Sequence, residues 1–192
     1  PMNRPIHLLL LSLGLLLVGH GIQLSLLPLF GRDLGWTDAT IGLTGASYFL
    51  GFVFGCIKVP SMLNRAGHIR VFLCMTGTTA GVLILLQSLT SPIVWMILRF
   101  ITGFSLAAIY ATTESWLNEH SSNEHRGKVM STYVIVTLVG IAIGQQLLGL
   151  IAKDSLFNVA AAIIDISILA WHARATYKSL TDDLQVNGCY WL

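Results

Sequence analysis

Arg99, Gly103, Ala107, Tyr110 and Glu114 are spaced four, four, three and four residues apart, which sets them on one stripe of a helix. The stripe opens on a guanidinium and closes on a carboxylate, inside an otherwise apolar run. A charge in such a run costs about 2.5–3.5 kcal/mol on insertion scales, so it needs a partner or a wet cavity. Arg99 can serve an anion or a buried carboxylate, or act as an anchor bonded to neighbouring carbonyls. His20 and Gln23 share a face of another apolar run. An imidazole there can carry a proton or be satisfied within a bundle. Gln145 and Gln146 offer uncharged donors and acceptors, for a hydroxyl-rich ligand or for bonds between helices.

The elements that must position these groups follow from composition. Of 192 residues, 54% are hydrophobic and 10% charged, with a mean hydropathy of +0.73. Soluble domains carry about 25% charged residues, so this is membrane composition. A net charge of +2 gives no basis for nucleic-acid binding. The hydropathy predicts an all-α bundle with spans at 6–29, 39–60, 71–89, 92–117 and 128–151, the second ending at Pro60 and the fourth opening on Pro92. A sixth, shorter span is expected at 156–173, with Asn158 and Asp165 inside it; Asp165 would be a proton-coupling candidate there. Residues 1–153 thus form five transmembrane helices. Residues 154–192 hold the weak sixth helix and an irregular cytoplasmic tail, where a broken reading frame or chimaeric end is one explanation.

Glycine pairs four apart (Gly51 and Gly55, Gly77 and Gly81, Gly140 and Gly144) let helix backbones approach closely; Gly103 and Ala107 add a small-residue pair. With the N-terminus in the cytoplasm, Arg4, Lys58, Arg65, Arg70, Arg126, Lys128, Arg174 and Lys178 lie inside, against Arg32 and Lys153 outside. That bias fits the positive-inside rule. Cys56, Cys74 and Cys189 show no metal-ligand spacing and fall at or near the inner side, so no disulfide is implied.

The loop Asn64-Arg65-Ala66-Gly67-His68-Ile69-Arg70 resembles the D-R-x-G-R-R/K loop between helices two and three of the major facilitator superfamily. Arg65 and Gly67 match; Asn64 replaces the usual aspartate, and His68 an arginine or lysine. Arg99-xxx-Gly103-xxx-Ala107 resembles that family's fourth-helix R-xxx-G-xxx-A motif, and Glu114 with Arg126-Gly127 its E…RG pattern. GHIRVF and ESWLNEHSSNEHRGKV resemble in particular the bacterial YcaD-like branch. The likeness covers about residues 6–151. Gly144-Gln145-Gln146-Leu147-Leu148-Gly149 lacks the proline and one glycine of the drug-antiporter G-P-xx-G-G series.

The resemblance implies the N-terminal half of a twelve-helix permease in a bacterial inner membrane. Such a protein moves a small solute by alternating access, with proton coupling open, and needs a C-terminal six-helix half. It implies substrate or coupling roles for Arg99, His20, Gln23, Gln145 and Gln146. A cytoplasmic gating network would comprise Asn64, Arg65, Gly67, His68, Arg70, Glu114, Arg126 and Gly127. Gly103, Ala107, Gly140 and Gly144 would pack helices. No metal, nucleotide or other cofactor is expected, since neither a ligand cluster nor a Walker loop occurs. One rival is a six-span intramembrane enzyme such as a rhomboid-like protease, which needs a serine beside a histidine. Gly45-Ala46-Ser47-Tyr48 lacks the final glycine of that setting, and His172 lies at the far edge of the sixth span. The other rival, a membrane assembly protein without transport, does not call for the polar stripe.

Overall fold

The computed structural model describes residues 4–150, 155, 158–164 and 166. Five helices, α1 (Arg4–Asp33), α2 (Asp38–Ala66), α3 (His68–Ser88), α4 (Pro92–His120) and α5 (Arg126–Leu147), account for nearly all of them. No strand occurs among the described residues. Each of the five is long and apolar enough to cross a bilayer, so the chain is a multi-pass membrane protein of the all-α class. Residues 158–164 and 166 are helical as well; the other positions of the expected sixth span, Asp165 included, lie outside the described residues.

Several helix ends differ from those read off the hydropathy. The second helix runs through Pro60 to Ala66, and the first through Pro28 to Asp33. Proline removes one backbone donor, but neighbouring helices can hold such a span together. The loop expected at 30–38 therefore shrinks to four residues, 34–37. There Thr37 caps α2, its hydroxyl accepting from the Thr40 N–H at 3.2 Å, and Asp38 sits favourably in the first turn. The α2–α3 connection shrinks to one residue. Gly67 has φ +79° and ψ 159°, a region open essentially to glycine alone. Gly67→Ala is expected to lower stability by about 1–3 kcal/mol, seen as a lower thermal midpoint in detergent; an unchanged midpoint would mean the turn relaxes freely.

Two helix crossings set the bundle. Along α2, Gly51 faces the Phe100 carbonyl and Gly55 the Ala107 methyl; along α4, Gly103 faces the Tyr48 carbonyl. A Cβ at Gly51 or Gly103 would have no room. The second crossing joins α1 to α5, with Gly144 against the Val18 carbonyl and Gly140 against that of Gly14. The third helix packs on α4. Its own glycine pair does not serve a crossing: Gly77 and Gly81 are exposed, and Gly81 has open space around its Cα. Between the α1–α5 pair and the α2–α4 pair the axes stay further apart, and long side chains fill the space.

That filling divides into two apolar clusters. One gathers Ile22, Leu26, Leu83, Leu86, Trp95 and Leu98, with Phe30 and Trp36 packed against it. The Trp95 indole donates to the Leu89 carbonyl at 2.6 Å. The other gathers Leu9, Leu13, Leu17, Phe72, Leu106 and Leu117. On their outer faces α2 and α5 leave large side chains uncovered, among them Phe49, Leu50, Val53 and Ile57, and Ile135, Leu138 and Val139. Such faces suit lipid or another layer of helices rather than water.

Candidate functional site

Between the two apolar clusters lies a polar layer. His20 follows Leu17 of one cluster and precedes Ile22 of the other, and Arg99 is likewise flanked by Leu98 and Leu106. By helix rise, Arg99 sits about 10 Å, Tyr48 about 15 Å and His20 about 20 Å from the same end of their helices. All three lie within the membrane-spanning segments rather than at their ends. His20 and Gln23 come from α1, Tyr48 from α2 and Arg99 from α4, so the layer ties the two helix pairs together.

Its geometry is specific. The Arg99 guanidinium carbon lies 4.6 Å from the centre of the Tyr48 ring, a cation–π contact worth about 0.5–2 kcal/mol. The Tyr48 hydroxyl is 3.5 Å from His20 Nε2, and the two rings stack with centroids 5.9 Å apart. His20 Nδ1 is 3.2 Å from Gln23 Oε1. An amide oxygen only accepts, so Nδ1 carries the proton, and Nε2 of the neutral ring accepts from Tyr48. Gln23 is fully buried, His20 is 3% exposed and Arg99 7%. Among the described residues Arg99 Nη1 and Gln23 Nε2 have no hydrogen-bond partner, and no carboxylate pairs with Arg99.

Three of the five substrate or coupling candidates, His20, Gln23 and Arg99, thus come together. Gln145 and Gln146 do not. Both are exposed at the end of α5, because Gly144 is the residue that α5 turns toward α1. Tyr48 is a member that sequence reasoning missed. Its signal was its register with Gly51 and Gly55, three and seven residues on, which places it on the packed face of α2.

A second polar group occupies the other end of α4. His68 Nε2 is 3.0 Å from Ser115 Oγ and 3.5 Å from a Glu119 carboxylate oxygen. The Tyr133 hydroxyl of α5 donates to Glu114 at 2.9 Å. One Arg126 Nη reaches the Asn118 carbonyl at 3.5 Å. Of the other expected members, Asn64, Arg65, Gly67, Arg70 and Gly127 are exposed. Arg65 and Arg70 form no ion pair among the described residues. Asn64 brings no carboxylate to order them, so the bridging falls to His68, Ser115, Glu119 and Tyr133. Gly103, Ala107, Gly140 and Gly144 lie at the two helix crossings. Tyr133→Phe is expected to cost roughly 1 kcal/mol through the lost bond. A double-mutant cycle with Glu114→Ala, read by thermal midpoint, measures it; full additivity would show the bond contributes nothing.

Two surface grooves lie among the described residues. One, about 380 Å3 between α1 and α5, is lined almost wholly by aliphatic side chains. The other, about 340 Å3, runs past His68, Arg70, Trp116 and Glu119. Neither includes the buried layer.

Comparison with known proteins agrees with the architecture. The Major Facilitator Superfamily profile matches residues 9–180. An uncharacterized MFS-type transporter of Enterobacter sp. (strain 638) is 28% identical over 152 residues, 79% of this chain and 40% of that protein. The uncharacterized MFS-type transporter YcaD of Salmonella arizonae is 28% identical over 154 residues, 80% of this chain and 40% of its own length. YcaD of Salmonella typhi matches to the same extent. The chain thus spans about 40% of the length of the curated relatives it matches. With five apolar crossings, glycine-packed helix pairs and a profile match over most of its length, the chain belongs to the major facilitator superfamily.

Proposed function

We propose that the complete protein is a secondary active transporter that moves a small solute by alternating access, and that this chain supplies its N-terminal half. The observation that carries this reading is the layer of His20, Gln23, Tyr48 and Arg99 buried between the two apolar clusters of membrane-spanning helices. A membrane bundle that serves only as a scaffold gains nothing from an unpaired guanidinium there. The uncovered apolar faces of α2 and α5 are suited to a second half, in keeping with relatives that are longer than this chain. Ser47, the serine of the stretch nearest to a protease setting, donates its hydroxyl to the Met96 carbonyl at 2.6 Å and bonds no histidine among the described residues.

The distribution of lysine and arginine supports an N-terminus in the cytoplasm of a bacterial inner membrane. The polar groups of His68, Glu114 and Glu119 then face the cytoplasm, where they would brace one state of the carrier. The test is uptake by proteoliposomes holding the complete protein, with panels of cationic, anionic and neutral solutes, each with and without a proton gradient. Solute-specific accumulation above protein-free vesicles is the expected result. Equal flux with and without protein across all panels would overturn the reading.

A further inference from the structure

The polar atoms of the buried layer that have no partner at all among the described residues are of one kind. Gln23 Oε1 and His20 Nε2 are already used as acceptors. What is left over is the Gln23 amide N–H pair and the N–H groups of Arg99 Nη1. Every one is a donor, and the layer carries one positive charge with no carboxylate beside it among the described residues. Donors without acceptors in a low-dielectric setting are costly, so the layer is completed by a group that only accepts and is singly negative. A planar carboxylate fits this best: a guanidinium edge meets it with parallel N–H bonds, and an amide supplies a third. A dianionic phosphate would leave one negative charge unpaired in the core.

We propose that Arg99 and Gln23, with Arg99 held over the Tyr48 ring and Gln23 oriented by His20, form a binding site for a single carboxylate group. As an assignment of substrate class this rests on the transporter reading; as a binding site it stands without it. The Tyr48 ring fixes the guanidinium plane, and the His20 Nδ1–H holds the Gln23 oxygen so that the amide nitrogen faces away from it. Both residues are therefore positioning residues. The carboxylate is that of a bound solute.

The test uses the full chain in lipid nanodiscs with isotope-labelled arginine, following the guanidinium NMR signal that disappears in Arg99→Gln. Acetate, lactate and benzoate are titrated against acetamide, lactamide and benzamide at constant ionic strength. Displacement of the Arg99 signal by carboxylates and not by amides is the expected result. No response, or equal response to acids and amides, overturns the proposal. Gln23→Leu should weaken the carboxylate response at least tenfold while helicity is kept; an unchanged response removes Gln23 from the site. Carboxylate binding without uptake by the complete protein would defeat the transporter reading and leave the site standing, and uptake without carboxylate binding would do the reverse.

Discussion

Replacing Arg99 with alanine in the complete protein is expected to abolish uptake while leaving the amount of folded protein in the membrane unchanged. The two halves of that statement come from different terms. Arg99 makes a favourable contact with Tyr48, worth about 0.5–2 kcal/mol. Against it stands the cost of a charge within the hydrocarbon core, about 2.5–3.5 kcal/mol. Removing the side chain forfeits the first and relieves the second, so the thermal midpoint should hold or rise. Uptake depends on the donors themselves, and these are lost outright. Arg99→Lys keeps the charge but loses the planar fork and its seat over the ring, and should retain at most about a tenth of the uptake. Transport by equal amounts of reconstituted protein, beside thermal midpoints, separates the effects. Undiminished uptake by Arg99→Ala would remove the residue from the mechanism, and parallel loss of uptake and stability would make it a structural anchor.

Gly103→Leu should have the largest effect on folding. A Cβ at Gly103 runs into the Tyr48 carbonyl and comes within 2.9 Å of the Phe52 nitrogen. Both are backbone atoms, so no rotamer change relieves the overlap, and α2 and α4 must part. Overpacking a core costs about 1–3 kcal/mol, and a crossing set by backbone contact belongs at the upper end of that range. Because the obstacle is Tyr48 itself, the substitution also pulls the ring from Arg99 and His20. Gly81→Leu is the matched control. Its position on α3 is exposed with open space around it, and replacing a helical glycine gains about 0.5–1 kcal/mol. Gly103→Leu should lower the thermal midpoint and Gly81→Leu should not. Equal behaviour would mean that the α2–α4 crossing is not what holds the bundle.

The contrast between these glycines shows where sequence was enough. Apolar runs of bilayer length gave five crossings directly, because a span must satisfy its backbone internally whatever surrounds it. Helix ends were harder. Pro60 reads as a stop, yet α2 continues to Ala66, since tertiary packing and not local propensity decides how far a span extends. Gly77 and Gly81 repeat the spacing of Gly51 and Gly55, but spacing alone does not say which face meets a partner.

The site divides the same way. Arg99, His20 and Gln23 stand out because polar groups are rare in apolar runs. Tyr48 does not, since an aromatic among Phe49, Phe52 and Phe54 reads as packing until its hydroxyl is seen at His20. Gln145 and Gln146 announced themselves by type, and the rotation of α5 about Gly144 turned them outward. At the turn between α2 and α3, Asn64 stands where the resembled loop has an acid, and among the described residues Arg65 and Arg70 form no ion pair.

The α1–α5 crossing also imposes an order on biogenesis. Of the five helices, the one made first is joined to the one made last, through Gly14 with Gly140 and Val18 with Gly144, whereas α2 and α4 meet across one intervening helix. Contacts of long sequence separation form late. During synthesis α1 therefore waits unclasped while α2, α3 and α4 assemble, with His20 Nε2 lacking its hydroxyl partner until Tyr48 is made. A chaperone or insertase that shields this first segment would act in that interval, and ribosomal pausing before Gly144 would lengthen it.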